Sequence, residues 1–599
     1  MADIAERARE LGIQPEYEGM GGTRNRVPDS TLEGLVKAFG HDAAAMRPQA
    51  LEAPPGVRCH LPDAGRCWGV AVQLYQLRSA RNWGIGDFAD LEDLIPVLAE
   101  RGADFIGLNP LHALFLADPA RCSPFSPSNR RFLNPLYLAV DRIPGFDPGM
   151  VEAAELDRLR ATELVDYPGV ARVKMAALRA VWQALDRPDA TEDFRRQGGA
   201  DLDRHALFDA ISADMAAKGH GAGWRAWPDD WHDPEGQAVA DFAADHAGDV
   251  AFYRWLQEQA DIQLARAQEA CKTAGMAIGL YLDVAVGEAG DGSGSWGHPD
   301  VLSSVRIGAP PDYFNEQGQD WGLAPLSPAA MAASRAAPLG TLMGRVMRRA
   351  GAVRIDHALG LWQLFLIPEG AGADAGAYAR YPLDDMLRAL AQASNDSRTI
   401  VIGEDLGNVP PGFREMMEQA GILSYRILFF ERDGAAFLAP EDYPETALAC
   451  LSTHDLPTFL GWWAGKDIAL RVEFGLIGAE TGREQADARP AERRELVRAL
   501  CEAGLLAKAD DIGESDDVPL ELMVAVHRYV ARTPARLMAA RLEDLAQDRR
   551  PVNLPSTAGE YPNWRPRLAA TIDQIAASPA FEAIVAGIAA ERPRTSGAG

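Results

Sequence analysis

Seven short apolar runs recur along the chain, and each ends in polar side chains. They are CWGVAVQL from Cys67, ADFIGLNP from Ala103, MAIGLYLDV from Met276, AVRIDH from Ala352, TIVIGEDLG from Thr399, SYRILFF from Ser424 and ALACLSTHD from Ala447. Near-continuous apolar runs of this length mark strands buried on both faces. Between many of them lie segments of helical periodicity, such as FADLEDLIPVLAERG and PLDDMLRALAQAS. Buried strands alternating with helices predict parallel βα units, an α/β fold, and a closed (β/α)8 TIM barrel. For the eighth strand two segments compete: ARLMAARLEDLA from Ala535, whose periodicity also suits a helix, and PVNLPS from Pro551.

The spacing is uneven, with over 160 residues between the second run and the third. Helical stretches such as YPGVARVKMAALRAVWQAL fill that gap, and the segment from about Trp462 to about Thr533 is also helical and charged. Both read as helical insertions in βα loops, at about 111–275 and 460–533, building walls around one end of a barrel that occupies 61–599. Residues 1–60 precede the first strand and end in the Pro/Gly-rich RPQALEAPPGV. They are expected to form a short N-terminal helical appendage.

At 599 residues and 47% hydrophobic, the chain can bury a large core. Its 59 basic against 86 acidic residues give a net charge of −27, which repels phosphate backbones and anionic headgroups. Nucleic acid and membrane are excluded as expected partners. The start, MADIAERARELGIQPEYEG, carries no secretory pattern, so a cytoplasmic location is expected. The six cysteines lie without a paired spacing or a nearby zinc-type histidine, which predicts neither a disulfide framework nor a metal site.

Three strand ends carry the candidate chemistry. Alternation puts Arg354 and Asp356 on one face of AVRIDH and Val353, Ile355 and His357 on the other. With the apolar pair facing helices, Arg354 and Asp356 project into the barrel near its mouth. The guanidinium needs an anionic partner there, and Asp356 is the nearest; a structural ion pair is the competing reading. TIVIGEDLG ends in Glu404 and Asp405, one of which must point inward. Asp405 is a candidate cap for the following turn, so Glu404 is preferred. ACLSTHDLPT ends in His454 and Asp455. Three carboxylates at one barrel mouth suit glycoside chemistry, which needs an ionised nucleophile, a protonated acid and a group that grips the distorted ring. Asp356 fits the first role, Glu404 the second and Asp455 the third.

The motifs VRIDHALGLW, VIGEDLGNVP and LSTHDLPT, in that order, resemble the 4-α-glucanotransferases, the amylomaltases or disproportionating enzymes of glycoside hydrolase family 77. RNWGIGDFADL, CSPFSPSNRRFLNPLY, GAPPDYFNEQGQDWG and VNLPSTAGEYPNWR are similar to family segments as well, so the resemblance runs from about Trp68 to Arg567. It implies Asp356 as nucleophile, Glu404 as acid/base and Asp455 as transition-state stabiliser. It implies Arg354, His357, His454, Asp283, Trp321 and Asn563 as substrate-binding residues, and ARLMAARLEDLA as the eighth strand. Tyr313 and Phe314, in the loop leading to Trp321, offer stacking surfaces for glucose rings. The sequence departs from the family in reading WGLAPLSP after the loop tryptophan, SPF rather than SPY at Phe125, and a shortened N-terminal part.

The resemblance implies transfer of α-1,4-glucan segments to the 4-hydroxyl of an acceptor by a retaining double displacement, without cofactor or metal. Maltooligosaccharides, amylose or glycogen-derived glucans are the expected partners. Two alternatives share much of this site: an α-1,4-glucan hydrolase with the same carboxylates, and a non-catalytic glucan-binding protein. The three acids together argue against the second. A phosphate-binding barrel enzyme lacks a Gly-rich strand-to-helix loop.

Overall fold

The computed structural model describes residues 4–19, 24–40, 43–62, 65–311, 318–507, 517–557 and 559–594. Eight parallel strands close into a barrel in chain order: β1 (Cys67–Val72), β2 (Phe105–Leu108), β3 (Gly279–Val284), β4 (Ala352–Ile355), β5 (Ile400–Gly403), β6 (Leu423–Ile427), β7 (Ala447–Cys450) and β8 (Leu537–Arg541). All seven apolar runs are barrel strands. The eighth comes from ARLMAARLEDLA, whose first half pairs with β7 and β1 while its second half, Leu542–Leu545, turns helical. That split explains its double periodicity. PVNLPS is loop, and it lies beyond the helical turn that follows β8.

Alternation sorts the strand residues onto two surfaces. Tyr281, Ala352, Ile400, Ile402, Leu423, Tyr425, Leu448, Cys450, Leu537 and Ala539 pack together inside the barrel. Val353, Val401, Ala447, Ala449, Met538 and Ala540 join the larger core under the helices. Because register is set by the strands, residues that pair laterally also share a level. Arg354 pairs with Asp283 on β3, and Ile355 pairs with Gly403 on β5, so Asp356 and Glu404 leave their strands side by side.

The turn after β1 shows what RNWGIGDFADL does. Asp87 caps helix Phe88–Ala99 in a reciprocal capping box with Asp90. Arg81 is ion-paired to Asp87, Asp90 and Asp141. Burial, with Asp87 beside it, pushes Asp90 up to about 7. This motif is architectural.

A five-stranded antiparallel sheet, which the apolar runs did not reveal, stands beside the barrel. It orders Ala377–Arg380, Gln363–Pro368, Val305–Ala309, Gln319–Ala324 and Glu288–Ala289. Residues 1–60 hold helices Ile4–Glu10 and Asp29–Phe39 and a hairpin of Glu16–Glu18 with Arg24–Arg26. They dock on that sheet: Ile13 bridges Ala379, and Gln14 N–H donates to the Tyr378 carbonyl at 2.8 Å. No helix among the described residues is long and apolar enough to cross a membrane.

Candidate active site

Arg354 is buried inside the barrel, and one of its nitrogens, Nη1, serves two carboxylates. It lies 2.8 and 2.9 Å from the oxygens of Asp283 and 3.0 Å from Asp356 Oδ1. The expected pairing with Asp356 is present, but the guanidinium is shared with Asp283. The Tyr425 ring packs beneath it, 5.6 Å from the guanidinium carbon. Burial raises Asp283 to about 6 against the pull of Arg354, while its two acids hold Arg354 charged despite its own burial.

Glu404 follows β5 with its carboxyl fixed from both sides. Oε2 accepts the backbone N–H of His357 at 2.9 Å and Oε1 that of Leu406 at 2.8 Å. Burial pushes it up to about 7; Asp356 adds to the rise, while Arg354 and the two N–H donors oppose it. Asp405 turns the other way. It is fully buried against β6, accepting from Arg414 Nε at 2.7 Å, Ser424 Oγ at 2.7 Å and Tyr425 N–H at 2.8 Å. Of the two acids at this strand end, only Glu404 stands beside Asp356.

His357 departs from the alternation expected of it. β4 ends at Ile355, and His357 adopts a left-handed backbone, φ +47°. This turns it back toward the mouth instead of placing it with Val353 and Ile355. Its ring meets Trp321 edge-on, with centroids 5.1 Å apart, and burial lowers it to about 4, leaving a neutral imidazole. Trp321 sits on strand Gln319–Ala324 of the antiparallel sheet, so that sheet brings the tryptophan to the barrel. Tyr313 and Phe314 lie outside the described residues.

The third acid stands on the loop after β7. Asp455 is 45% exposed, with Oδ2 3.2 Å from His454 Nε2 and Oδ1 accepting from Asn553 Nδ2 at 2.6 Å. Against the cost of desolvation, His454 and the Asn553 hydrogen bond bring Asp455 down to about 2. His454 is raised, since Asp455 outweighs the opposing effect of burial. Phe125 stacks on the His454 ring with centroids 4.6 Å apart, and Trp564 packs against both rings. Loops after β2, β7 and β8 thus converge on one His–Asp pair.

Two residues that sequence reasoning did not pick out, Asn553 and Arg541, reach the loop after β7. Asn563 has its side chain committed to its own loop, accepting from Leu554 N–H at 2.8 Å and donating to Thr557 Oγ1 at 2.8 Å; Asn553 is the asparagine that reaches Asp455. Both lie in VNLPSTAGEYPNWR, and nothing in that string ranks one above the other. The second is Arg541, at the end of β8. Its Nη1 donates to Ser452 Oγ at 3.0 Å and to the carbonyls of Thr453 and Leu456 at 2.6 and 3.1 Å, clamping the loop that carries His454 and Asp455. An inward arginine two positions beyond the interior Ala539 was the available signal.

No group of three or more His, Cys, Asp or Glu among the described residues is arranged to hold a metal ion. What the mouth does hold is three carboxyl groups in different protonation environments around one opening: one bonded to a guanidinium, one buried and poised near neutrality, one held ionised. This arrangement supports acid–base and nucleophilic work on a neutral, hydroxyl-rich substrate.

A family model described as 4-alpha-glucanotransferase matches residues 72–572. A protein named 4-alpha-glucanotransferase from Mycobacterium tuberculosis (strain ATCC 25618 / H37Rv) is 40% identical over 532 residues, covering 84% of this chain and 72% of that protein. One of the same name from Haemophilus influenzae is 34% identical over 530 residues, covering 84% of this chain and 76% of its own. The crystal structure of amylomaltase from Corynebacterium glutamicum superposes with a TM-score of 0.83 at 26% identity, over 98% of this chain and 99% of that one. Amylomaltase from Streptococcus agalactiae in complex with acarbose shares the fold, with a TM-score of 0.70 at 18% identity over 88% and 98% of the two chains.

Proposed function

Because the chain belongs to the 4-alpha-glucanotransferase family and is a 4-alpha-glucanotransferase acting on α-1,4-glucans, we propose that Asp356, Glu404 and Asp455 carry its reaction as a retaining double displacement. The observation that bears most weight is the contrast between neighbouring acids. Glu404 sits at about 7 in a buried niche, while Asp356 lies 3.0 Å from a buried guanidinium. Near neutral pH Glu404 is available as a proton donor, while Asp356 has a guanidinium as its partner.

In this reading Asp356 attacks the anomeric carbon while Glu404 gives its proton to the departing glycosidic oxygen, forming a covalent glucosyl-enzyme. Glu404, now a carboxylate, takes the proton of an acceptor 4-hydroxyl as that oxygen displaces Asp356, and two inversions restore the α configuration. Asp455 and His454 grip ring hydroxyls, and the Asp455 carboxylate strengthens that grip as positive charge grows at the anomeric centre. His357 and Trp321 form an adjoining wall that limits water near the intermediate. Maltooligosaccharides, amylose or glycogen-derived glucans are the donors and acceptors in this proposal. Residues 1–60 and 61–599 serve as its structural divisions, with inserts at about 111–275 and 460–533. A cytoplasmic setting goes with it on composition alone.

Incubation with maltotriose tests the chemistry. Transfer yields glucose and a ladder of longer maltooligosaccharides with reducing ends constant; a steady rise in reducing ends means hydrolysis. Asp356→Ala should lose at least about 10³-fold in kcat, and retained turnover rules out Asp356 as the nucleophile.

A further inference from the structure

On the outer face of β3, away from the barrel interior, a cavity of about 90 Å³ lies between helices Ala247–Thr273 and Ala337–Met347. Segment Asn129–Leu133 and the first part of helix Glu192–Ala217 close it over. That helix is broken at Gly199, where φ +57° and ψ −155° interrupt the helical path and leave the Gly198 carbonyl free to bond Arg345 Nη2 at 2.7 Å. The space exceeds what one water needs and is of the order of a small tetrahedral anion.

Its lining is mixed, with apolar side chains such as Phe132, Leu202 and Leu264 beside a cluster of basic ones, in a protein whose net charge is −27. Five arginines, Arg130, Arg131, Arg345, Arg348 and Arg349, border it. Asp261 is shared by Arg348 and Arg349, at 2.8 and 2.7 Å. Asp201 stands 3.4 Å from Arg345 and 4.0 Å from Arg131, and Glu288 stands 4.0 Å from Arg130. Five guanidinium groups therefore face three carboxylates, and for Arg130 and Arg131 the ion pair is 4.0 Å long. The other acid in the lining, Asp283, has its carboxylate on Arg354.

Arg131 is the least compensated. Its side chain is 7% exposed, and its Nη1 has no hydrogen-bond partner among the described residues; Arg130 Nε is in the same position. A buried cation with an idle donor is costly unless an anion or ordered water completes it. Planar donors arranged around a small cavity match the oxygens of a phosphate group. We propose that this cavity binds a phosphate-type anion, either free or as the phosphate of a small ester such as a sugar phosphate. It meets the carboxylate site at Asp283, whose carboxylate stays on Arg354, and takes no part in glucan transfer.

The test is thermal unfolding and calorimetric titration of the full chain with inorganic phosphate, with sodium chloride matching ionic strength throughout. Saturable binding that raises the melting temperature is expected, since a ligand of the native state stabilises it by mass action. Arg131→Gln and Arg345→Gln should each weaken it by about tenfold or more, as lost charge-assisted bonds do, whereas Lys218→Gln, an exposed change elsewhere, leaves it intact. If either buried variant does not fold, Arg348→Gln on the partly exposed rim takes its place. A parallel titration with glucose 1-phosphate separates the sources: tighter binding than inorganic phosphate assigns an ester, equal binding the bare ion. No saturable phosphate or glucose 1-phosphate binding at matched ionic strength, or binding undiminished in the arginine variants, overturns the proposal.

Discussion

Glu404 is fixed through two backbone N–H groups rather than through a side-chain partner, and burial raises its proton affinity with help from Asp356, against the pull of Arg354 and of those two donors. A group that must be protonated to act as an acid, and whose value stands at about 7, predicts a fall in kcat/KM as pH rises through about 7. Initial rates on maltotriose across pH 5 to 9 check this, and a plateau to pH 9 contradicts it. A second expectation concerns His454, whose value is raised through Asp455. Asp455→Asn removes the carboxylate and leaves burial, which opposes the imidazolium, so the His454 titration should move to lower pH. Histidine ring NMR reads that shift directly. At this scale the sequence was informative about residue type and about pairing between near neighbours such as Arg354 and Asp356, and silent about pairing between distant segments. Arg354 was legible as a buried cation needing an acid, yet Asp283, 71 positions earlier, is bound to the same nitrogen as Asp356. Only strand register makes them neighbours.

Arg541 ends β8, and its single nitrogen holds several groups of the loop carrying Asp455. Its Nε faces buried Glu543 at 3.5 Å. Arg541→Met leaves Glu543 buried without its cation and should destabilise the protein by about 3 kcal/mol, read by denaturant unfolding. Adding Glu543→Leu removes the stranded charge and should restore most of that stability. Activity should stay low in the double variant, because the loop remains unclamped. Recovery of both together would make the arginine's role purely one of stability. Elements were legible where the physics is local. Strands buried on both faces give continuous apolar runs, and all seven were found; the eighth was ambiguous because five strand residues pass directly into a helical turn. His357 was assigned to the wrong face because alternation holds only within a strand, and its left-handed backbone ends the strand's alternation. The antiparallel sheet was missed since its central pair, Val305–Ala309 and Gln363–Pro368, joins segments that lie on either side of β4 in the chain.

Across the whole molecule, residues 1–60 dock on the antiparallel sheet, whose other strands carry Trp321 to the mouth. Leu11, Ile13, Leu32, Leu35 and Val36 are at most 2% exposed there. Full burial contributes about 1.5–3 kcal/mol for each such side chain as an upper estimate, so removing residues 1–52 should lower the melting temperature by several degrees. Scanning calorimetry tests this, and an unchanged transition would mean the segment adds nothing to the sheet's stability. What the sequence determined by itself was the barrel, its strand order and the identity of three acids at strand ends. Burial pattern and side-chain alternation are written in neighbouring residues, and parallel barrels place strand ends at one mouth. What tertiary structure alone decided was which acid each cation holds, which asparagine reaches Asp455, and that five arginines surround a common cavity. Those depend on distances between segments far apart in the chain, which close packing fixes and local pattern does not record.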